Sequence, residues 1–158
     1  MGRTALIVAV DEAELALSEL RLRYDPSASL GVPAHVTVLV PFLDGAEVEE
    51  EALASLFGSF EAFDFILDRI ERFDGGAVWL HPEPSQPFED LTAAVWRRWP
   101  DYPPYEGSFD VVIPHLTVSM TPIDLAIDLP ISARARQVTL IEEAPDGRWV
   151  TRQTFPLW

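Results

Sequence analysis

Two short stretches of the sequence carry residues suited to chemistry. "GVPAHVTVLVPF" and "IPHLTVSM" each set one histidine in apolar surroundings, with a threonine two residues later. Strand side chains alternate between faces with period two. His35 and Thr37 therefore share a face, opposite Val36 and Val38. His115, Thr117 and Ser119 share another, opposite Leu116, Val118 and Met120. Imidazole titrates near neutrality, at about 6.5, so a facing pair holds one neutral and one protonated member. That is the arrangement for a general base coupled to a general acid. Phosphoester cleavage suits it. One histidine takes a proton from the attacking water or hydroxyl, and the other protonates the leaving oxygen. The two threonines donate hydrogen bonds to the non-bridging oxygens, where charge builds. The scheme calls for no metal and no cofactor.

The rest of the chain supplies elements that bring the two motifs together. "TALIVAV" reads as a buried strand, and Asp11 with Glu14 as a capping box opening a helix. Asp44 caps a second helix with the stripe Val48, Ala52, Leu53, Leu56 and Phe60. "FDFILDRIERF" and "AVWLHP" form a hairpin about Gly75 and Gly76. Pro87 opens a third helix carrying Phe88, Leu91, Val95 and Trp99. "FDVVIPHLTVSM" is the second marked strand. "RARQVTLIEEA" and "RWVTRQTFPL" close the chain as a hairpin around "PDGR". The expected order is β-α-β-α-β-β-α-β-β-β, and each half holds a His-x-Thr strand after a helix and a loop. This predicts an α+β fold of two lobes, related by a weak internal duplication, whose polar strand faces meet across a cleft. The expectation is a single domain over 1–158. Lobe one covers roughly 1–74 and lobe two roughly 75–158, with strand exchange between them allowed.

Composition narrows the partners. The 158 residues suit one domain, and 48% are hydrophobic. The net charge is −15, and every basic residue is arginine. A protein gripping long nucleic acid through its phosphates wants a basic face. Long nucleic acid is therefore not an expected partner, whereas a small phosphorylated substrate is, because a pocket's field can differ from the net charge. There is no cysteine, so disulfides, thiolate nucleophiles and Cys-ligated metals are excluded. No stretch approaches the ~20 apolar residues of a membrane span. No membrane role is expected, and the cytoplasm is the default location.

The paired H-x-T motifs resemble the two-histidine (2H) phosphoesterase superfamily, in its 2′-5′ RNA ligase-like and cyclic phosphodiesterase branch. "GVPAHVTVLVPF" is similar to that branch's first motif, including the following Pro-Phe. "PPYEGSFDVVIPHLTVS" is similar to its second, including the Pro-rich approach. The resemblance implies a bilobal fold with antiparallel sheets flanking a central cleft. It implies that His35 and His115 are the catalytic pair and that Thr37 and Thr117 bind phosphate. It also implies hydrolysis of a 2′,3′-cyclic phosphate on a nucleotide or short RNA end, usually to the 2′-phosphate, with ATP-independent 2′-5′ joining as the reverse. One departure follows the second motif: "TPIDLAIDLP" carries proline at both ends, where the family runs a helix. That helix is expected to be lost.

Other residues invite weaker readings. His81 lacks a threonine partner and sits near a strand end, on the rim of the expected cleft. It is also the third ligand that zinc would need with His35 and His115, but His-x-Thr is not metal spacing. Tyr102 and Tyr105 could stack on a base, or pack in their Pro-rich loop. Trp79, Trp96, Trp99 and Trp149 read as core or half-buried. Arg134 and Arg136, on one strand face, and Arg148 and Arg152 could meet a phosphate, although offsetting surface carboxylates is the simpler role. The alternative to an enzyme is a non-catalytic module that holds a nucleotide phosphate in the same pocket.

Overall fold

A computed structural model describes residues 2–109 and 111–158. Eight strands form two four-stranded antiparallel sheets. The first sheet contains β1 (Thr4–Ala9), β2 (His35–Leu39), β7 (Gln137–Glu143) and β8 (Trp149–Pro156), in the order β2-β1-β7-β8. The second contains β3 (Phe63–Arg72), β4 (Val78–Glu83), β5 (Leu116–Ser119) and β6 (Ile131–Ala135), in the order β5-β4-β3-β6. Helices α1 (Asp11–Tyr24), α2 (Pro26–Ser29), α3 (Glu50–Gly58) and α4 (Gln86–Arg98) flank them. The fold is α+β. No helix among the described residues is long and apolar enough to cross a membrane.

Strand position explains the hydrophobic patterns. β1 lies inside its sheet with both faces covered, and its first five residues are buried. One face, Leu6 and Val8, joins a core that runs on through Val36, Val38, Leu67, Leu80, Leu116 and Val118. The other, Ala5 and Ile7, packs with Val32 and Ile141 in a smaller cluster. One core thus serves both sheets. The marked strands β2 and β5 are edge strands, each paired on one side only. They lie against each other where the two sheets meet.

Several expectations are corrected. "RARQVTLIEEA" is not one strand: it changes sheets at Arg136, leaving Ala135 opposite Phe63 and Gln137 opposite Pro156. The buried parity switches at the crossing, from Ala133 and Ala135 in β6 to Val138 and Leu140 in β7, and the two residues between them, Arg136 and Gln137, are both exposed. Each sheet draws strands from both sides of residue 74. β3 belongs to the second sheet, and the C-terminal hairpin β7–β8 returns to the first. Strand β5 begins only at Leu116, so His115 sits just before it, and the chain has left the strand by Met120, which is exposed. Ser119 is buried and donates to the carbonyl of Thr121 at 2.6 Å rather than facing the cleft. Asp11 is the first helical residue and caps nothing. Asp44 caps a short 3₁₀ turn (Gly45–Glu47), and α3 starts later, at Glu50. "TPIDLAIDLP", by contrast, behaves as expected and holds no helix.

Candidate active site

His35 opens β2, and the loop that delivers it is braced from α1. Arg21, only 2% exposed, donates through Nη1 to the carbonyl of Val32 at 3.0 Å. Its Nη2 meets Asp25 at 3.0 Å and the Ser27 hydroxyl at 3.3 Å. Glu14 accepts from the Ala34 N–H, and Val10 N–H donates to the Ala34 carbonyl at 2.8 Å. Pro33 is therefore held on both sides, and its carbonyl accepts from His35 Nδ1 at 2.8 Å. Gly31 lets the loop pass close to β8. It has φ +95, and a Cβ there would lie 2.9 Å from the carbonyl oxygen of Trp149.

His115 repeats the ring geometry with different support. Its Nδ1 donates to the carbonyl of Ile113, again two residues back, at 2.6 Å. The ring stands edge-on to Phe73 at 5.0 Å and to Trp79 at 5.8 Å, and those two stack on each other at 4.8 Å. Thr117 lies across from Trp79 in the β4–β5 ladder.

A carbonyl oxygen only accepts, so each histidine carries its fixed proton on Nδ1. Nε2 is the free nitrogen in both: a base when the ring is neutral, an acid when it is charged. His35, Thr37, His115 and Thr117 all line one cavity of about 290 Å³. Burial pushes His35 down to about 4, with the Arg21 charge adding to the effect and the Pro33 carbonyl opposing it. Burial also lowers His115, against the pull of the Ile113 carbonyl.

Tyr105, Met120 and Trp149 are also among the residues that line this cavity. Burial raises the Tyr105 phenol, and the Thr37 side chain beside it pulls the other way. Tyr105 and Glu106 sit at φ 52 and 56, in the left-handed region that non-glycine residues rarely occupy. The loop is anchored by Tyr105 N–H to the carbonyl of Val40 at 2.6 Å. The signal in the sequence is the compact "PPYEG", but only the fold shows which tyrosine is in the cleft. Tyr102 packs instead against Phe42 and the core.

The other candidates lie elsewhere. His81 Nδ1 is 2.9 Å from Asp68 Oδ1 and lines neither of the two cavities that touch His115. Among the described residues, the group spaced to hold a metal ion is Asp68, His81 and Glu83, which excludes both His35 and His115. Arg134 pairs with Asp64 at 2.8 Å, and Arg136 lies 3.7 Å from Glu12. Arg152 pairs with Glu50 at 2.8 Å and Glu142 at 3.0 Å, and Arg148 reaches the carbonyl of Ser29 at 3.4 Å. Trp79 and Trp99 are buried and Trp149 half-buried, but Trp96 is 45% exposed.

Two facing sheet edges, each presenting a histidine and a threonine to one cavity, define the two-histidine phosphoesterase class. The sequence matches the family model of the 2′-5′ RNA ligase superfamily over residues 9–149, and the chain belongs to that family. The fold agrees. E. coli LigT complexed with 3′-AMP superposes with a TM-score of 0.70 at 17% identity, covering 99% of this chain and 98% of that one. E. coli LigT complexed with NADP+ gives 0.69 at 19%, covering 99% and 97%. TT0787 of Thermus thermophilus gives 0.67 at 19%, covering 98% and 97%. No curated protein matches the chain by sequence.

Proposed function

We propose that the protein is a metal-independent phosphoesterase that opens the 2′,3′-cyclic phosphate of a nucleotide or short RNA end. The observation that carries this reading is the shared ring geometry. Two histidines with Nδ1 tied to the carbonyl two residues back turn Nε2 toward catalysis in one cavity that also holds both threonines. The structural relatives that hold 3′-AMP, ATP and phosphate support a phosphate-bearing ligand.

His35, kept neutral by burial, is the base, and His115 is the acid. Water attacks phosphorus as its proton passes to His35 Nε2. The bond from phosphorus to the 3′ ring oxygen breaks, and that oxygen takes the proton from His115 Nε2. One water is consumed, and the product is a 2′-phosphate beside a free 3′-hydroxyl. The histidines end with exchanged protonation and return to the start through solvent. Thr37 and Thr117 hold the non-bridging oxygens, with the Tyr105 phenol beside Thr37. With a ribose hydroxyl of a second end in place of water, the same ring opening joins the two ends through the 2′-phosphate and frees the 3′-hydroxyl.

The test is turnover of 2′,3′-cyclic nucleotides by purified protein with EDTA present. Activity that survives EDTA and vanishes in both His35→Ala and His115→Ala is expected. Unchanged turnover in either variant sinks the mechanism. Ligand stabilisation without turnover would instead identify a binding module.

A further inference from the structure

A second cavity, of about 610 Å³, opens from His115 and Thr117 away from His35. Its walls include Phe73, Phe109, Val111, Ile113 and Met120, with Tyr105 shared between the two cavities. Phe109, Val111, Ile113 and Met120 are 60%, 70%, 44% and 53% exposed. A contiguous apolar surface of this kind marks a binding site more often than ordinary surface. Phe73, stacked on Trp79, presents an aromatic wall next to the His115 ring. The one carboxylate among the described residues on its lining is Asp74. Among the described residues, no arginine lines either cavity.

The placement matters more than the apolarity. A phosphoryl group held between the two histidines can direct one of its substituents into the trough, because the trough shares His115, Thr117, Tyr105 and Met120 with the histidine cavity. Aromatic walls hold a flat, uncharged group well. A second phosphate would enter without a cation to meet it, past a carboxylate, on a protein of net charge −15. Deepening the phosphoesterase reading, on which this rests, we propose that the trough is a recognition site for one aromatic base. The substrate class is then a nucleoside 2′,3′-cyclic phosphate carrying no further phosphate, in preference to an RNA end with its backbone charges.

The test compares kcat/KM for adenosine 2′,3′-cyclic phosphate, its 5′-phosphorylated form, a trinucleotide ending in the cyclic phosphate, and glycerol 1,2-cyclic phosphate, which has no base. Loss of the base is expected to lower kcat/KM about tenfold or more, the worth of one base–aromatic contact. Each added phosphate is expected to lower it further, with a penalty that shrinks as salt rises. Phe109→Ser and Val111→Ser change exposed side chains and do not threaten the core. Each should cut the ratio of base-bearing to base-free kcat/KM about tenfold, through KM. Asp74→Arg should narrow the 5′-phosphate penalty. Turnover that is indifferent to the base, to added phosphates and to Phe109→Ser overturns the inference while the phosphoesterase reading stands. No turnover of any substrate overturns the reading itself. The trough is then judged by thermal stabilisation: adenosine 2′-phosphate must outperform inorganic phosphate in wild type and lose that advantage in Phe109→Ser, and equal shifts reject the proposal.

Discussion

The two motifs present the same two residue types to one cavity on very different supports. His35 stands on a carbonyl pinned from both sides by α1, with a buried Arg21–Asp25 pair beneath it. His115 stands on the carbonyl of Ile113, in a segment whose apolar side chains face solvent, and its ring is set by Phe73 and Trp79. One half is held by charge and hydrogen bonds, the other by aromatic contact beside an open trough. Equal chemistry on unequal supports separates two jobs. In the proposed mechanism, the braced half fixes a neutral base, and the open half leaves room for the departing group.

The first way to break this comparison is to remove the rings. His35→Ala and His115→Ala should each lower kcat by about 10³-fold, the scale of general acid–base catalysis. If either steady-state rate stays within tenfold of wild type, the halves are not partners. Arg21→Met should be the next largest effect, because it strands Asp25 as a buried charge. A loss of about 3 kcal/mol in chemical unfolding is expected. The His35 limb of the pH profile should move with it. A pH profile that stays put would reduce Arg21 to a structural part.

The pH dependence sharpens the division of labour. The base must be neutral, so activity falls as pH drops through the His35 value of about 4. The acid must be charged, so activity falls as pH rises through His115, which burial holds below its ordinary 6.5. A bell in kcat/KM with its maximum between those limits is expected, reporting the pair as a unit. A plateau from pH 5 to 8 would contradict it. The same shift acts on stability. The unfolded chain protonates His35 near 6.5 while the folded chain resists until about 4. Protonation of the unfolded chain therefore costs the fold about 3 kcal/mol as pH falls through that window. Unfolding of wild type and His35→Gln at pH 7 and pH 4 should show that difference, with the variant less sensitive to acid. The smallest effect belongs to Tyr105→Phe, which removes the hydroxyl beside Thr37. A drop of roughly threefold to tenfold in kcat, the scale of one neutral hydrogen bond, should leave the pH limbs in place.

Much of this site is legible along the chain because its central residues obey a local rule. His35 and Thr37, and likewise His115 and Thr117, are two apart on extended chain, so period two places each pair on one face without knowledge of the fold. Glu14 shows where local rules mislead. Its spacing from Asp11 spells a capping box, yet its carboxylate serves Ala34, which only tertiary packing brings near. Parity sets Met120 on the core face, yet it lies in the cleft, because β5 ends one residue earlier. Tyr105 and Trp149 complete the cavity from loop and strand positions to which no periodicity points.

The sequence by itself determined the two His-x-Thr pairs, the shared face within each pair and the α+β class, since these rest on residue type and short-range alternation. The tertiary structure alone decided that β2 and β5 are free sheet edges facing one cavity, that the chain changes sheets at Arg136, and that one histidine is braced while the other borders an apolar trough. Those features depend on contacts between residues remote in the chain, and a one-dimensional pattern carries no record of which remote surfaces meet.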